Sequence, residues 1–262
     1  MAVHYNSITK EPYLQLPEPR ANIIITPYRE HQIQETALVM TEILNDAKVY
    51  SWLQGPPYPF LPEHGEDWIK MKIQENKAVV SALQQEFETK DQQQSGESSD
   101  QTDRQIFDKC PFLCIRQVEE RDPISGAPLQ DTLIGEVAIM RYPFHEIRRN
   151  SWELALVQDH NNRLPPGHDD IVWSIGNYLS PSYHGRGIMS RAVATVIRNW
   201  AVPRMNTKHF RGSFFAGNVG SRKVFERNNF EEVGTFKDWS PERPNKNQGK
   251  MSLVVMEWKG LL

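Results

Sequence analysis

The chain has 262 residues, 39% of them apolar, which is enough for a sizeable core in one large domain. Its formal net charge of −3 excludes the broad cationic surface that binds nucleic acid by neutralising phosphates. No window is apolar for long enough to span a bilayer, and "MAVHYNSITKEPYLQLPEPR" lacks the basic start and apolar run of a secretory signal. The expectation is a cytoplasmic protein, with a nuclear location as the alternative, that has no nucleic-acid and no membrane partner and is a monomer or a homodimer.

In chain order, "NIIITPY" reads as a first strand over 22–27, and Ile33, Ala37, Met40 and Leu44 recur at helical spacing behind it. "WLQGPPYPF" is dense in proline and aromatic side chains. A second helix is predicted from about Glu63 to Glu86, with Trp68, Met71 and Leu83 among its apolar positions. "ETKDQQQSGESSDQTDRQ" then carries almost no apolar surface to offset its ordering entropy, so a disordered insertion is expected at about 86–105.

The two cysteines, Cys110 and Cys114, lie in the apolar run "CPFLCI"; that pair alone closes no metal site and reads as core. "FLCIRQVEE" and "TLIGEVAIMRY" form a predicted antiparallel pair joined by the Pro- and Gly-bearing "RDPISGAPLQD". Within 142–169, "SWELALVQD" reads as a short strand and "HNNRLPPGHDD" as loop. "IVWSIGNYLS" has the filling of a strand buried on both faces.

After Gly187, the residues Met189, Ala192, Val193, Val196, Ile197 and Trp200 draw one apolar stripe at helical spacing. "KHFRGSFFA" supplies another strand, "NVGSRKVFERNN" a helix capped by Asn218, and "EEVGTFK" with "KMSLVVMEW" a closing strand pair. The fold class is α/β, with a mixed sheet flanked by helices.

The turn "HGRGIM" carries the chemistry. Gly185 and Gly187 let the backbone turn tightly with its N–H groups unshielded, while the following helix points its positive end at the same spot. This is an anion cradle. It is not a Walker loop, and it lacks the third glycine of G-x-G-x-x-G.

One strand later comes "GNVGSRKVFERNNF", and with it the sequence resembles the GCN5-related N-acetyltransferase (GNAT) superfamily, in particular its ribosomal-protein alanine N-acetyltransferase, RimJ/RimL-like subgroup. "HGRGIM" stands where the family has Q/R-x-x-G-x-G/A, with Gly187 at the fourth position, His184 replacing Gln/Arg and Met189 replacing the last small residue. The family's next motif, N-x-x-S-x-x-V-hydrophobic-E-K-x-G-F, is met by Asn218, Ser221, Val224, Phe225, Glu226 and Phe230, with Asn229 in place of glycine. Asparagine tolerates the left-handed conformation which that helix-ending position requires.

The resemblance implies a GNAT-like domain spanning 1–262, mostly antiparallel, that moves an acetyl group from acetyl-CoA to the primary amine of a peptide or small molecule, with no metal. It implies strands that splay after a bulge near Asn177 and Tyr178, pantetheine paired to the strand edge Asn177–Leu179, and pyrophosphate on amides from about Gly185 to Ser190, with His184, Gly185, Arg186, Gly187, Ile188, Met189 and Ser190 all binding acyl-CoA. Asn218, Ser221 and Phe225 complete the acyl-CoA site. Where many members carry a thiolate-protonating tyrosine this chain has Phe225, which leaves Ser221 as the donor. Glu136 and Asp170 join it as catalytic candidates. The general base stays open among Glu136, Asp169, Asp170 and His168. "WLQGPPYPF" and 142–169 are expected to flank the acceptor. A catalytically silent acyl-CoA-binding or regulatory protein is the alternative that the missing tyrosine fits.

Overall fold

The computed structural model describes residues 3–93, 105–241 and 249–261. Two short strands open the chain, β1 (His4–Tyr5) and β2 (Pro12–Gln15), ahead of β3 (Ile23–Thr26). Helices α1 (Ile33–Asn45), α2 (Ala47–Tyr50) and α3 (Pro62–Gln93) follow. Then come β4 (Cys114–Arg121), β5 (Pro128–Arg141), α4 (Trp152–Arg163), β6 (Val172–Leu179) and α5 (Ile188–Val196). The chain closes with α6 (Val202–Met205), β7 (His209–Phe215), α7 (Val219–Glu226), β8 (Phe230–Phe236) and β9 (Leu253–Trp258).

The strands make one nine-stranded sheet in the order β1-β2-β3-β4-β5-β6-β7-β9-β8. Every pairing is antiparallel except β6 with β7, which is parallel and spans only Val172 to Ser174 against His209 to Arg211. Two large clusters form the core. One joins α5 to β6 and β7 around Trp173, Trp200 and Phe210; the other packs α1 and the first half of α3 on Cys114, Leu133 and Ala138.

The apolar stripe after Gly187 is buried as its spacing requires, with Trp200 fully enclosed between Phe107 and Phe112 and its Nε1 donating to the Lys109 carbonyl at 2.9 Å. Ile197–Ala201 widens into a π-turn immediately before Pro203, whose missing N–H leaves a carbonyl one turn back without its usual donor. Where α1 crosses α3, a Cβ on Gly65 would sit 3.0 Å from the Ala37 side chain, so the glycine sets how closely the two helices approach. Cys110 and Cys114 are buried, with burial pushing both thiols up to about 12.

Three expectations are corrected. The strand at 22–27 is not the first: β1 and β2 precede it at the sheet edge. "SWELALVQD" is helix, not strand, because Ser151 caps it by accepting from Leu154 N at 3.2 Å and because Leu154, Val157 and Asn161 share one inward face. Buried Asn161 then bonds both backbone groups of Val172, docking α4 on the start of β6. Third, α3 runs on to Gln93, into the expected insertion, and Glu86 is held by Arg204. The rest of the expected insertion, 94–104, lies outside the described residues.

Candidate active site

The sheet opens at its centre. β5 and β6 stay in continuous register from Arg141 opposite Trp173 to Gly135 opposite Leu179, whereas β6 and β7 part after Ser174 and Arg211. The opening therefore starts earlier than expected, and no bulge lies at Asn177 or Tyr178 on this pairing. Tyr142 N donates to Val172 O at 2.9 Å and Ser180 N to Ile134 O at 2.7 Å, so the even-numbered residues of β6 turn their backbone groups toward β5. By the alternation of an antiparallel ladder, the backbone of Ile175 and Asn177 faces the gap left by β7.

A cleft of about 700 Å³ fills this gap. Its floor is the open part of β6. One end is the turn into α5, where Gly185 and Gly187 have φ of 73° and 71°, values that residues with a Cβ rarely adopt. Nothing lies within 4 Å of a Cβ on Gly185, so the backbone there is open to a ligand. His184 Nε2 reaches the Leu179 carbonyl at 2.8 Å and clasps the strand end to the turn. The adjoining wall is the start of α7: Asn218 Oδ1 accepts from Ser221 N at 3.0 Å, capping the helix, and Lys223 and Arg227 add positive charge. Helix starts carry partial positive charge, so α5 and α7 both favour an anion here.

The other end is built from sequence-distant pieces. Trp52 follows α2 and lies against Gly217, with a Cβ on that glycine 3.6 Å from its ring. Asn45 holds the intervening loop by exchanging two hydrogen bonds with Phe60. Opposite stand Met140, Pro143 and His145, with Phe215 and Leu253 from β7 and β9.

Of the expected acyl-CoA residues, all but Arg186 line the cleft; its guanidinium lies over the Tyr183 ring at 5.3 Å. Phe225 is 2% exposed, stacked on Phe214 and pressed so closely on Gly212 that a Cβ there would fall 2.2 Å from its ring. Asn229 has φ of 63°, the left-handed value anticipated for it.

The catalytic candidates divide. Ser221 lines the cleft. Asp170 does not: it precedes β6 at the opposite end of the strand, with its side chain 75% exposed, and a separation of seven residues at extended spacing places it roughly 23 Å from Asn177. Asp169 and His168 share that distant loop, Asp169 accepting from Asn206 and His168 from the Asp170 amide.

Glu136 does not open on the cleft either. It is buried behind Tyr178, and its Oε2 accepts from Tyr28 O–H, from Trp68 Nε1 at 3.2 Å and from Tyr178 O–H at 3.5 Å. Burial raises its carboxyl above the ordinary range, and these hydrogen bonds offset part of that rise. Neither carboxylate is thus placed to take a proton directly from a molecule in the cleft. Trp52 and His145 lie in the two segments expected to flank the acceptor, though neither residue was singled out; Lys223 and Arg227 were missed, and their i, i+4 spacing was the one available signal.

This sheet, parted beside a glycine turn that feeds a helix, is the GNAT fold. Residues 154–231 match the sequence model of the acetyltransferase (GNAT) domain. Among solved structures, the chain is similar to RimL, described as a ribosomal L7/L12 alpha-N-protein acetyltransferase, with 11% identity over 99% of both chains and a TM-score of 0.54. It is also similar to the ribosomal-protein-S5-alanine acetyltransferase from Vibrio fischeri, with 16% identity over 91% of this chain and 96% of that one and a TM-score of 0.51. The microcin C7 self-immunity acetyltransferase MccE, solved with acetyl-CoA and AMP, shows 13% identity over 92% and 93% and a TM-score of 0.52. No curated protein matches the chain in sequence. The chain carries the GNAT fold and resembles the RimJ/RimL-like members of that superfamily. Among the described residues, no helix is long and apolar enough to cross a membrane.

Proposed function

We propose that the protein is an acyl-CoA-dependent N-acetyltransferase that moves an acetyl group from acetyl-CoA to a primary amine, of a peptide amino terminus or of a small molecule. The observation that carries this reading is the free edge of β6 running straight into the left-handed Gly185 and Gly187 turn at the start of α5. An extended amide-bearing chain fits the first and a pyrophosphate the second, and the donor has both in that order. The structural neighbours support the amine class: RimL and the Vibrio fischeri protein are acetyltransferases of ribosomal proteins.

In this reading the backbone of Asn177 pairs with the pantetheine, and the amides from Gly185 to Ser190 receive the pyrophosphate. Lys223 and Arg227 add attraction for phosphate. Ser221 stands where a hydroxyl can donate to the departing thiolate. Trp52, Met140, Pro143 and Phe215 form the acceptor wall.

Calorimetric titration with CoA and acetyl-CoA, followed by a thiol-release screen against peptides with free amino termini and small primary amines, tests the proposal. Binding and turnover are expected. A folded protein that binds no CoA would sink it. Binding without turnover of any amine would favour a silent acyl-CoA-binding protein, the reading that Phe225 and the absence of a carboxylate from the described cleft residues would then support.

A further inference from the structure

The cleft has an electrostatic peculiarity. Among the described residues that line it there is no aspartate and no glutamate, while Lys48, Lys223 and Arg227 all contribute positive charge. Cations only donate, so none of these three can accept a proton from a reacting amine. Of the two phenols, Tyr178 donates to Glu136, and Tyr183 belongs to the phosphate turn, its ring under the Arg186 guanidinium, rather than to the acceptor end. His184 is tied to the Leu179 carbonyl.

That leaves His145. Its imidazole is half-buried at the acceptor end, with the Trp239 ring edge-on at 5.0 Å and the Tyr142 ring at 5.8 Å. Its main chain is held from behind, because Trp239 Nε1 donates to the His145 carbonyl at 2.8 Å. Neither ring nitrogen has a hydrogen-bond partner among the described residues, so its one unshared pair is available to the cleft. Burial pushes the imidazole down to about 4; the Glu146 carboxylate opposes this and the Arg149 guanidinium adds to it. The ring is therefore neutral under physiological conditions.

We propose that His145 is the general base of the transfer, an inference that rests on the acetyltransferase reading. The lone pair of a neutral primary amine attacks the thioester carbonyl carbon; the C–N bond forms as the carbonyl π pair moves onto oxygen. The nitrogen, now positive, passes one proton to the unshared pair of the His145 ring. The oxygen pair re-forms the carbonyl, the C–S bond breaks, and its electrons leave on the thiolate. The imidazolium returns its proton to the thiolate or to solvent, giving the acetamide and the CoA thiol. A weak base suffices, because a nitrogen bonded to the acyl carbon is far more acidic than a free alkylammonium. The same weakness means that His145 does not strip a free ammonium, so the acceptor enters already neutral.

The test is steady-state thiol release from acetyl-CoA, using the best acceptor from the panel of free-amino-terminus peptides and small primary amines, with acetyl-CoA affinity measured in parallel by calorimetry. His145→Gln should lower kcat by about 10²-fold while leaving acetyl-CoA affinity within twofold. Added imidazole should restore part of the rate to His145→Ala. A His145→Gln kcat within threefold of wild type, at unchanged affinity, overturns the role of His145 and leaves the acetyltransferase reading standing. Parallel loss of rate and affinity, with no imidazole rescue of His145→Ala, assigns His145 to structure and also overturns it. Absence of thiol release by the wild-type protein with every acceptor overturns the underlying reading itself.

Discussion

Gly187 is the sharpest point at which to challenge the phosphate cradle. Its φ of 71° lies in the left-handed region, which costs a residue with a Cβ about 1–2 kcal/mol. An ideal Cβ there falls 2.7 Å from Arg191 Nη1, the end of a flexible side chain that can swing aside, so little further steric cost is expected. Gly187→Ala should therefore lower the melting temperature by about 2–8 °C for a chain of this size. Gly187→Glu carries the same backbone cost and adds a charge. A carboxylate about 5 Å from one phosphate charge, at an effective dielectric of about 20, opposes it by about 3 kcal/mol. That corresponds to roughly a hundredfold weaker CoA binding. The new carboxylate can also pair with Arg191, withdrawing a cation from the turn. Thermal unfolding separates the backbone effect, shared by both variants, from the charge effect, which calorimetry with CoA reads in the glutamate variant alone. A folded Gly187→Glu protein with wild-type CoA affinity would refute the cradle and the acetyltransferase reading with it.

Three further outcomes are expected. Ser221→Ala should reduce kcat roughly tenfold at nearly constant acetyl-CoA affinity, since a hydroxyl serving the thiolate matters most as charge gathers on sulfur; an unchanged kcat where chemistry limits turnover returns Ser221 to the helix start alone. Burial holds the Glu136 carboxyl above its ordinary range, so its stabilising contribution is complete below the unfolded value and fades as pH rises through the folded one. Glutamine cannot ionise, and the melting temperature of Glu136→Gln relative to wild type should climb as pH rises above the ordinary glutamate range; a pH-independent difference would contradict this. Deleting 94–104 should leave CoA affinity and melting temperature nearly unchanged, given so little apolar sequence, whereas extending the cut back through Glu86 removes the partner of Arg204 and should lower the melting temperature. Equal effects from both deletions would count against that anchoring.

The parts of this protein that were readable in the sequence are those specified by neighbours along the chain. Gly185, Gly187 and the stripe that follows define a turn and a helix from local stereochemistry. Asn218 with Ser221 does the same for α7, and β8 with β9 closes as the alternation implied. What escaped was set by distant contacts. "SWELALVQD" satisfies strand alternation and helix spacing alike, and only the Ser151 cap and the docking of Asn161 on Val172 decide between them. The seclusion of Glu136 depends on Tyr28 and Trp68 arriving from the loop between β3 and α1 and from α3, more than sixty residues away in sequence. His145 fell inside the 142–169 segment expected to flank the acceptor but was not singled out there, because the Trp239 ring beside it and the opposite wall at Trp52 come from distant parts of the chain.

The open edge of β6 has a consequence for the protein as a colloid. Unpaired strand edges ordinarily sit at the margin of a sheet, where charge, proline or brevity keeps them from recruiting another chain. Here the exposed N–H and C=O groups lie mid-sheet, flanked by Ile175 and Leu179, and the parting of β7 rather than any gatekeeper residue created them. A molecule that supplies a complementary amide in that gap acts as a removable tenth strand. At a free concentration a hundred times its dissociation constant it would stabilise the folded state by about 2.7 kcal/mol. Starved of such a molecule, the protein would be both less resistant to heat and more prone to self-association, so that its shelf life in solution becomes a reporter of cleft occupancy.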